Sequence, residues 1–134
     1  MYQKMVIMGI DPGIAITGFA FIEFEFNQFK LISCGVIRTK ASELHYRRLQ
    51  IIYDDLAKLI TKYNPQVCSI EELRFAKNAK TALVVSQARG VILLLLQQSG
   101  IEIFEYKPLQ VKQAITGYGK AEKWQVMTMV LKLL

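Results

Sequence analysis

Apolar and polar positions divide this chain into elements before any chemistry is considered. Residues 5–10 are continuously apolar, which predicts a strand buried on both faces. Residues 18–26 begin apolar and then alternate, with Ile22, Phe24 and Phe26 on one side and Glu23 and Glu25 on the other. Residues 29–38 follow a short polar turn at Asn27-Gln28. Links this short favour antiparallel neighbours, so the three strands predict a meander. Residues 44–63 carry Leu49, Ile52, Leu56, Leu59, Ile60 and Tyr63 on one helical stripe, with Arg48, Asp55, Lys58 and Lys62 off it. Asn64-Pro65 ends that helix, because proline cannot continue it.

A short buried strand at 67–70, a helix at 81–98 and a strand at 102–106 follow, with Gly100 as the helix stop. Helices at 109–116 and 121–134 are separated by Gly117 and Gly119. The order is βββαβαβα with a continuation, which predicts an α/β fold with one mixed sheet and helices packed on its faces. The segment "GVILLLLQQ" is apolar all round. Either it is sandwiched inside the domain or its outer side meets another subunit, and we favour a dimer contact.

Composition narrows the class. A chain of 134 residues, 52% hydrophobic and 21% charged, is one ordinary globular domain. The net charge is +6, and its placement is uneven. Residues 1–73 carry 8 basic and 8 acidic side chains, whereas residues 74–134 carry 9 and 3. A one-sided excess of this kind points to a polyanion, nucleic acid before membrane; the plain alternative is a solvated lysine surface. Cys34 and Cys68 lack zinc spacing and form no disulfide framework, and Cys68 reads as a small core residue. The longest apolar run, 91–96, is far shorter than a membrane span, and the N-terminus lacks a signal-peptide core. The expectation is a cytoplasmic protein without a membrane partner.

Two strand tips carry the chemistry. "VIMGID" and "VCSIEE" each run apolar and then turn acidic, at Asp11 and Glu71. Asp11, followed by Pro12-Gly13, can start a turn, hold a metal or face the phosphates of a nucleotide. If the first and fourth strands are parallel neighbours, both carboxylates emerge at the carboxyl edge of the sheet, where open α/β sheets place ligands. Carboxylates that close repel, and a divalent cation relieves the repulsion and takes oxygen ligands. Mg²⁺ or Mn²⁺ is therefore the candidate ion. The plain alternative is a turn-capping Asp11 and an exposed Glu71.

Three blocks, "GIDPGIAITGFAFIE", "SIEELRFAKNAKTALVVSQARGVILL" and "EYKPLQVKQAITGYGKAEKWQVMTMV", together resemble the RuvC-type Holliday-junction resolvases over nearly the whole chain. The resemblance implies an RNase H-like fold, in a single domain spanning residues 1–134. It further implies a homodimer that nicks four-way DNA junctions in recombination and repair by metal-dependent phosphodiester hydrolysis, with a branch-migration helicase as partner. It places the family's first acids on Asp11 and Glu71, with a weaker claim for Glu72, and two assisting lysines on Lys112 and Lys123. Arg74, Phe75, Lys77, Asn78, Lys80 and Arg89 are the expected DNA-facing set. No acid occurs from 73 through 101, and basic residues around an aromatic suit phosphate contact and base stacking. The family often has an aromatic where Arg74 stands; Phe75, one residue later, can be a wedge or core packing.

The family's last acidic helix, with an Asp-x-x-Asp-Ala pattern, has no counterpart before the sequence reaches "VLKLL". The expectation is a shortened chain that binds junctions weakly and cleaves poorly. Rival readings are an RNase H-like nuclease acting on RNA, a catalytically inactive DNA-binding module, and an actin-like ATP-binding domain that uses Asp11-Pro12-Gly13. The actin-like reading lacks a second phosphate motif.

Overall fold

The computed structural model describes residues 3–73 and 78–133. The first apolar run forms β1 (Met5–Asp11), followed by β2 (Ile16–Glu25) and β3 (Gln28–Arg38). Both steps are antiparallel, the meander expected from the short links. The β2–β3 turn lies one residue earlier than the polar pair predicts. Phe26 and Asn27 occupy it with φ of 51° and 60°, and Gln28 already pairs with Glu25. Two successive positive φ angles match the right-handed twist of a hairpin, which overrides the local preference of phenylalanine. A register shift beside Phe21 and Ile22 bends the edge strand β3.

Helix α1 (His45–Tyr63) crosses to β4 (Val67–Glu71), and α2 (Ala79–Gln98) crosses to β5 (Glu102–Tyr106). The sheet order is β3-β2-β1-β4-β5, with β1, β4 and β5 parallel. α1 ends at Asn64 in the left-handed conformation, whose N–H donates to Ile60 O, just before Pro65. The chain closes with α3 (Pro108–Thr116) and α4 (Lys123–Leu133), so the full order is βββαβαβαα.

One sheet face carries the core. Met8, Ile10, Phe21, Cys68 and Ile70 lie in it and pack with Ile52, Leu56 and Ile60 of α1 and Ala88, Ile92, Leu95 and Leu96 of α2. Each such aliphatic or aromatic side chain contributes about 1.5–3 kcal/mol by leaving water. The side chains of alternate positions, Ile7, Gly9 and Asp11 with Ser69 and Glu71, project to the opposite face. Ile16, Leu31 and Val36 stay exposed, and α3 and α4 bury no residue of their own.

α2 is apolar on its buried and its exposed sides. Its inner side is core, while Leu83 and Leu94 are 66% and 55% exposed. By length and composition it is the one helix among the described residues that could cross a bilayer, a test that the core helix of a soluble protein also passes.

Candidate active site

Asp11 and Glu71 are the last residues of their strands rather than the first residues beyond them. The ladder extends this far because Asp11 pairs with Gly18 across β2, and Glu71 pairs with Tyr106 across β5. Ile10 and Ile70 are register partners in the parallel β1–β4 pair, so the two acids follow side by side. Neighbouring strands lie about 4.8 Å apart. Both acids line one hollow of about 190 Å³ together with Pro12, Glu72, Leu73 and Arg89.

The turn after Asp11 is held from inside. Thr17 is fully buried, and its hydroxyl donates to Gly13 O at 2.6 Å and accepts from Gly13 N at 3.3 Å. A Cβ on Gly13 would stand 2.2 Å from Ile16 O, so only glycine fits. Across the ladder, a Cβ at Gly18 would meet Asp11 Cβ at 3.7 Å, an ordinary contact, so the glycine there is not sterically required. Thr17 carries no sequence signal beyond its place in "DPGIAITG"; its spacing from Gly13 is the hint.

Arg89, one of the expected DNA-facing set, holds two strand ends together. Its side chain is only 15% exposed, its guanidinium pairs with Glu105 at 3.0 Å, and its Nε donates to Glu71 O at 3.5 Å. A cation so placed positions the β4 end and faces the hollow that holds the two carboxylates. Among the DNA-facing set, Asn78 caps α2 by accepting from Lys80 N at 3.0 Å, and Lys80 is exposed in the first turn. Arg74, Phe75 and Lys77 lie outside the described residues.

A second hollow, of about 430 Å³, brings the predicted lysines to the same acid. Glu71 lines it with Pro108, Val111, Lys112, Lys123 and Val126. Pro108 at the first turn of α3 and the left-handed Gly117 at its end fix the short helix that presents Lys112. Glu71 thus stands between Asp11 on one side and two ammonium groups on the other.

No group of three or more His, Cys, Asp or Glu suited to a metal gathers among the described residues. The acids at the strand ends still fit a hard cation. Mg²⁺ is commonly held by one or two carboxylates and completed by substrate phosphates.

The sequence profile described as crossover junction endodeoxyribonuclease RuvC matches residues 7–134. The crossover junction endodeoxyribonuclease RuvC of Ruminiclostridium cellulolyticum is 53% identical over 130 residues, covering 97% of this chain and 78% of the relative. That of Halothermothrix orenii is 52% identical, with 97% and 79% covered. The fold superposes on Thermus thermophilus RuvC in complex with a Holliday junction substrate with a TM-score of 0.91, at 30% identity over 97% of this chain and 79% of the other. The yeast mitochondrial Holliday junction resolvase shares the fold at 16% identity and a TM-score of 0.71, covering 94% and 60% of the two chains.

Proposed function

Because the chain belongs to the family of crossover junction endodeoxyribonucleases RuvC, we propose that it cuts four-way DNA junctions by phosphodiester hydrolysis at the Asp11–Glu71 edge. The observation that carries this is the position of Glu71, which lines one hollow with Asp11 and a second with Lys112 and Lys123. Acids that can hold a cation and ammonium groups that can face a phosphate surround one point.

Asp11 and Glu71 are the residues that would hold Mg²⁺ or Mn²⁺. When bound, such an ion polarises the phosphoryl oxygens and offsets charge on the leaving oxygen. Lys112 and Lys123 orient the scissile phosphate and offset the charge that grows on it. Arg89 and the buried Thr17 keep the two strand ends in place. Two protein carboxylates alone hold Mg²⁺ loosely, so metal and DNA bind together. A second copy docks on the exposed side of α2, where Leu83 and Leu94 stand open. A twofold assembly presents two such edges to the two strands of a symmetric junction.

The test compares cleavage of a synthetic four-way junction, linear duplex and single-stranded RNA with Mg²⁺ and with EDTA. Selective, EDTA-sensitive nicking of the junction is expected; preference for RNA would overturn the reading. Light scattering at micromolar concentration should give the mass of a dimer.

A further inference from the structure

A third hollow, of about 290 Å³, lies between the end of α3 and the start of α4 and is walled by Thr116, Tyr118, Trp124, Thr128 and Met129. The residue at its floor, Ala121, is 2% exposed, whereas Trp124 and Tyr118 are 63% and 58% exposed. Two large rings thus stand open around one recess.

Several polar groups of this recess are turned to local partners. Trp124 Nε1 donates to Glu122 Oε2 at 2.9 Å, which fixes the indole by its edge. Gln125 Oε1 accepts from Glu122 N at 2.8 Å. The Thr116 hydroxyl donates to Lys112 O at 2.7 Å, and the Thr128 hydroxyl donates to Trp124 O at 2.8 Å. Ring faces and a thioether dominate what remains for a ligand, beside the Tyr118 hydroxyl and the Gln125 amide nitrogen. The surroundings are basic: residues 107–134 carry Lys107, Lys112, Lys120, Lys123 and Lys132 against the acid Glu122.

A planar apolar recess among lysines matches the way single-stranded nucleic acid is held, with bases on aromatic faces and phosphates on cations. A volume near the bottom of the small-molecule range suits one planar group. We propose that this hollow takes one unstacked nucleobase of the bound DNA against Trp124, while Lys120 and Lys123 hold the phosphates on either side. The proposal rests on the junction-cutting reading and adds a base contact beside the cut. Lys123, which lines the hollow of Glu71, is the residue next to Trp124 in the chain, so the base lies close along the strand to the phosphate that is cut. Discrimination by ring overlap favours purine over pyrimidine.

Trp124 is the only tryptophan of the chain, so its emission reports this recess directly. Titration with a synthetic four-way junction should quench it to saturation. Trp124→Ala should weaken junction binding roughly 5- to 100-fold, the range of one lost stacked base, and Trp124→Phe should restore most of it. Circular dichroism checks that both variants fold, as expected for so exposed a ring. Unchanged emission at saturating junction, with equal affinity of Trp124→Ala and parent, overturns the base pocket and leaves junction binding standing. A parent chain that binds neither four-way nor single-stranded DNA overturns both. Loss of self-association in Trp124→Ala with junction affinity intact makes the recess a protein interface and overturns the proposal.

Discussion

The acids and the lysines of the candidate site are mounted in opposite ways. Asp11 and Glu71 end strands whose preceding residues, Ile10 and Ile70, belong to the core, and the turn beyond Asp11 is pinned by a fully buried threonine. Lys112 and Lys123 ride on α3 and α4, which bury no residue of their own. Few buried contacts mean that the helical hairpin opens at low free energy, whereas the strand ends open only with the sheet. On the proposed reading, the cation site is therefore set before DNA arrives, and the phosphate clamp adjusts when it does. Pre-placed charge is what stabilises a transition state without reorganisation, so the rigid half belongs with the chemistry.

The largest effect is expected at the rigid half. Asp11→Asn or Glu71→Gln should lower junction cleavage roughly 10³-fold or more, since several kcal/mol of charge stabilisation depend on the ion. Junction affinity measured by gel shift without metal should change little. If either variant cleaved as fast as the parent, the acids would not hold the catalytic ion.

At the adjustable half the loss should be smaller and split between binding and cleavage. Lys112→Ala and Lys123→Ala should each reduce cleavage roughly 10²-fold, as for other single donors that face a developing anion. A lysine that neutralises a phosphate also contributes about 0.9 to the slope of log K against log salt, so each variant should flatten that slope by about this amount. A slope unchanged in both variants would make these lysines solvent-facing and reverse the contrast between the two halves.

The same contrast explains what was legible in the sequence. Strands that end in an acid are a local pattern, so Asp11, Glu71 and their shared edge follow from periodicity and the crossover rule. The lysines needed the resemblance, because isolated Lys112 and Lys123 look like any surface lysine. The contacts of Arg89 are not legible in sequence: its partners Glu71 and Glu105 lie on two strands, and no local pattern announces them. The hairpin turn was misplaced by one residue because Phe26 takes a conformation that its side chain disfavours and strand twist demands. Thr17 is faint in sequence for a simpler reason: apart from its spacing from Gly13, a hydroxyl buried against its own turn looks like one more strand threonine.

Thr17 measures how much of the rigidity is local. Thr17→Val removes the donor to Gly13 O and the acceptor for Gly13 N in a buried setting, at a cost of roughly 1–3 kcal/mol. For a domain of this size that lowers Tm by roughly 3–12 °C. Cleavage measured well below the new Tm should still fall, because the turn beside Asp11 loosens. Lost stability with full activity would show that the sheet ladder alone holds Asp11.

The two cysteines give the mildest probe of the contrast, because both are on strands and only one is near the acids. Cys68 lies on β4, the strand that ends in Glu71, and is fully buried; Cys34 lies on the exposed edge strand β3. Burial pushes the Cys68 thiol up to about 12. The unfolded thiol titrates near 8.5, so between about pH 8.5 and 12 the folded chain holds a proton that the unfolded chain loses. Stability from this group is complete below that window and declines as pH rises through it; Cys68→Ala should remove that part of the alkaline decline. At neutral pH a thiol reagent should label Cys34 within its ordinary reaction time and Cys68 only at the rate at which β4 opens. Bound junction and Mg²⁺ should slow Cys68 labelling further and leave Cys34 unchanged. Equal labelling of the two would mean that the strand carrying Glu71 opens as freely as the edge, and the acids would then be no more pre-placed than the lysines.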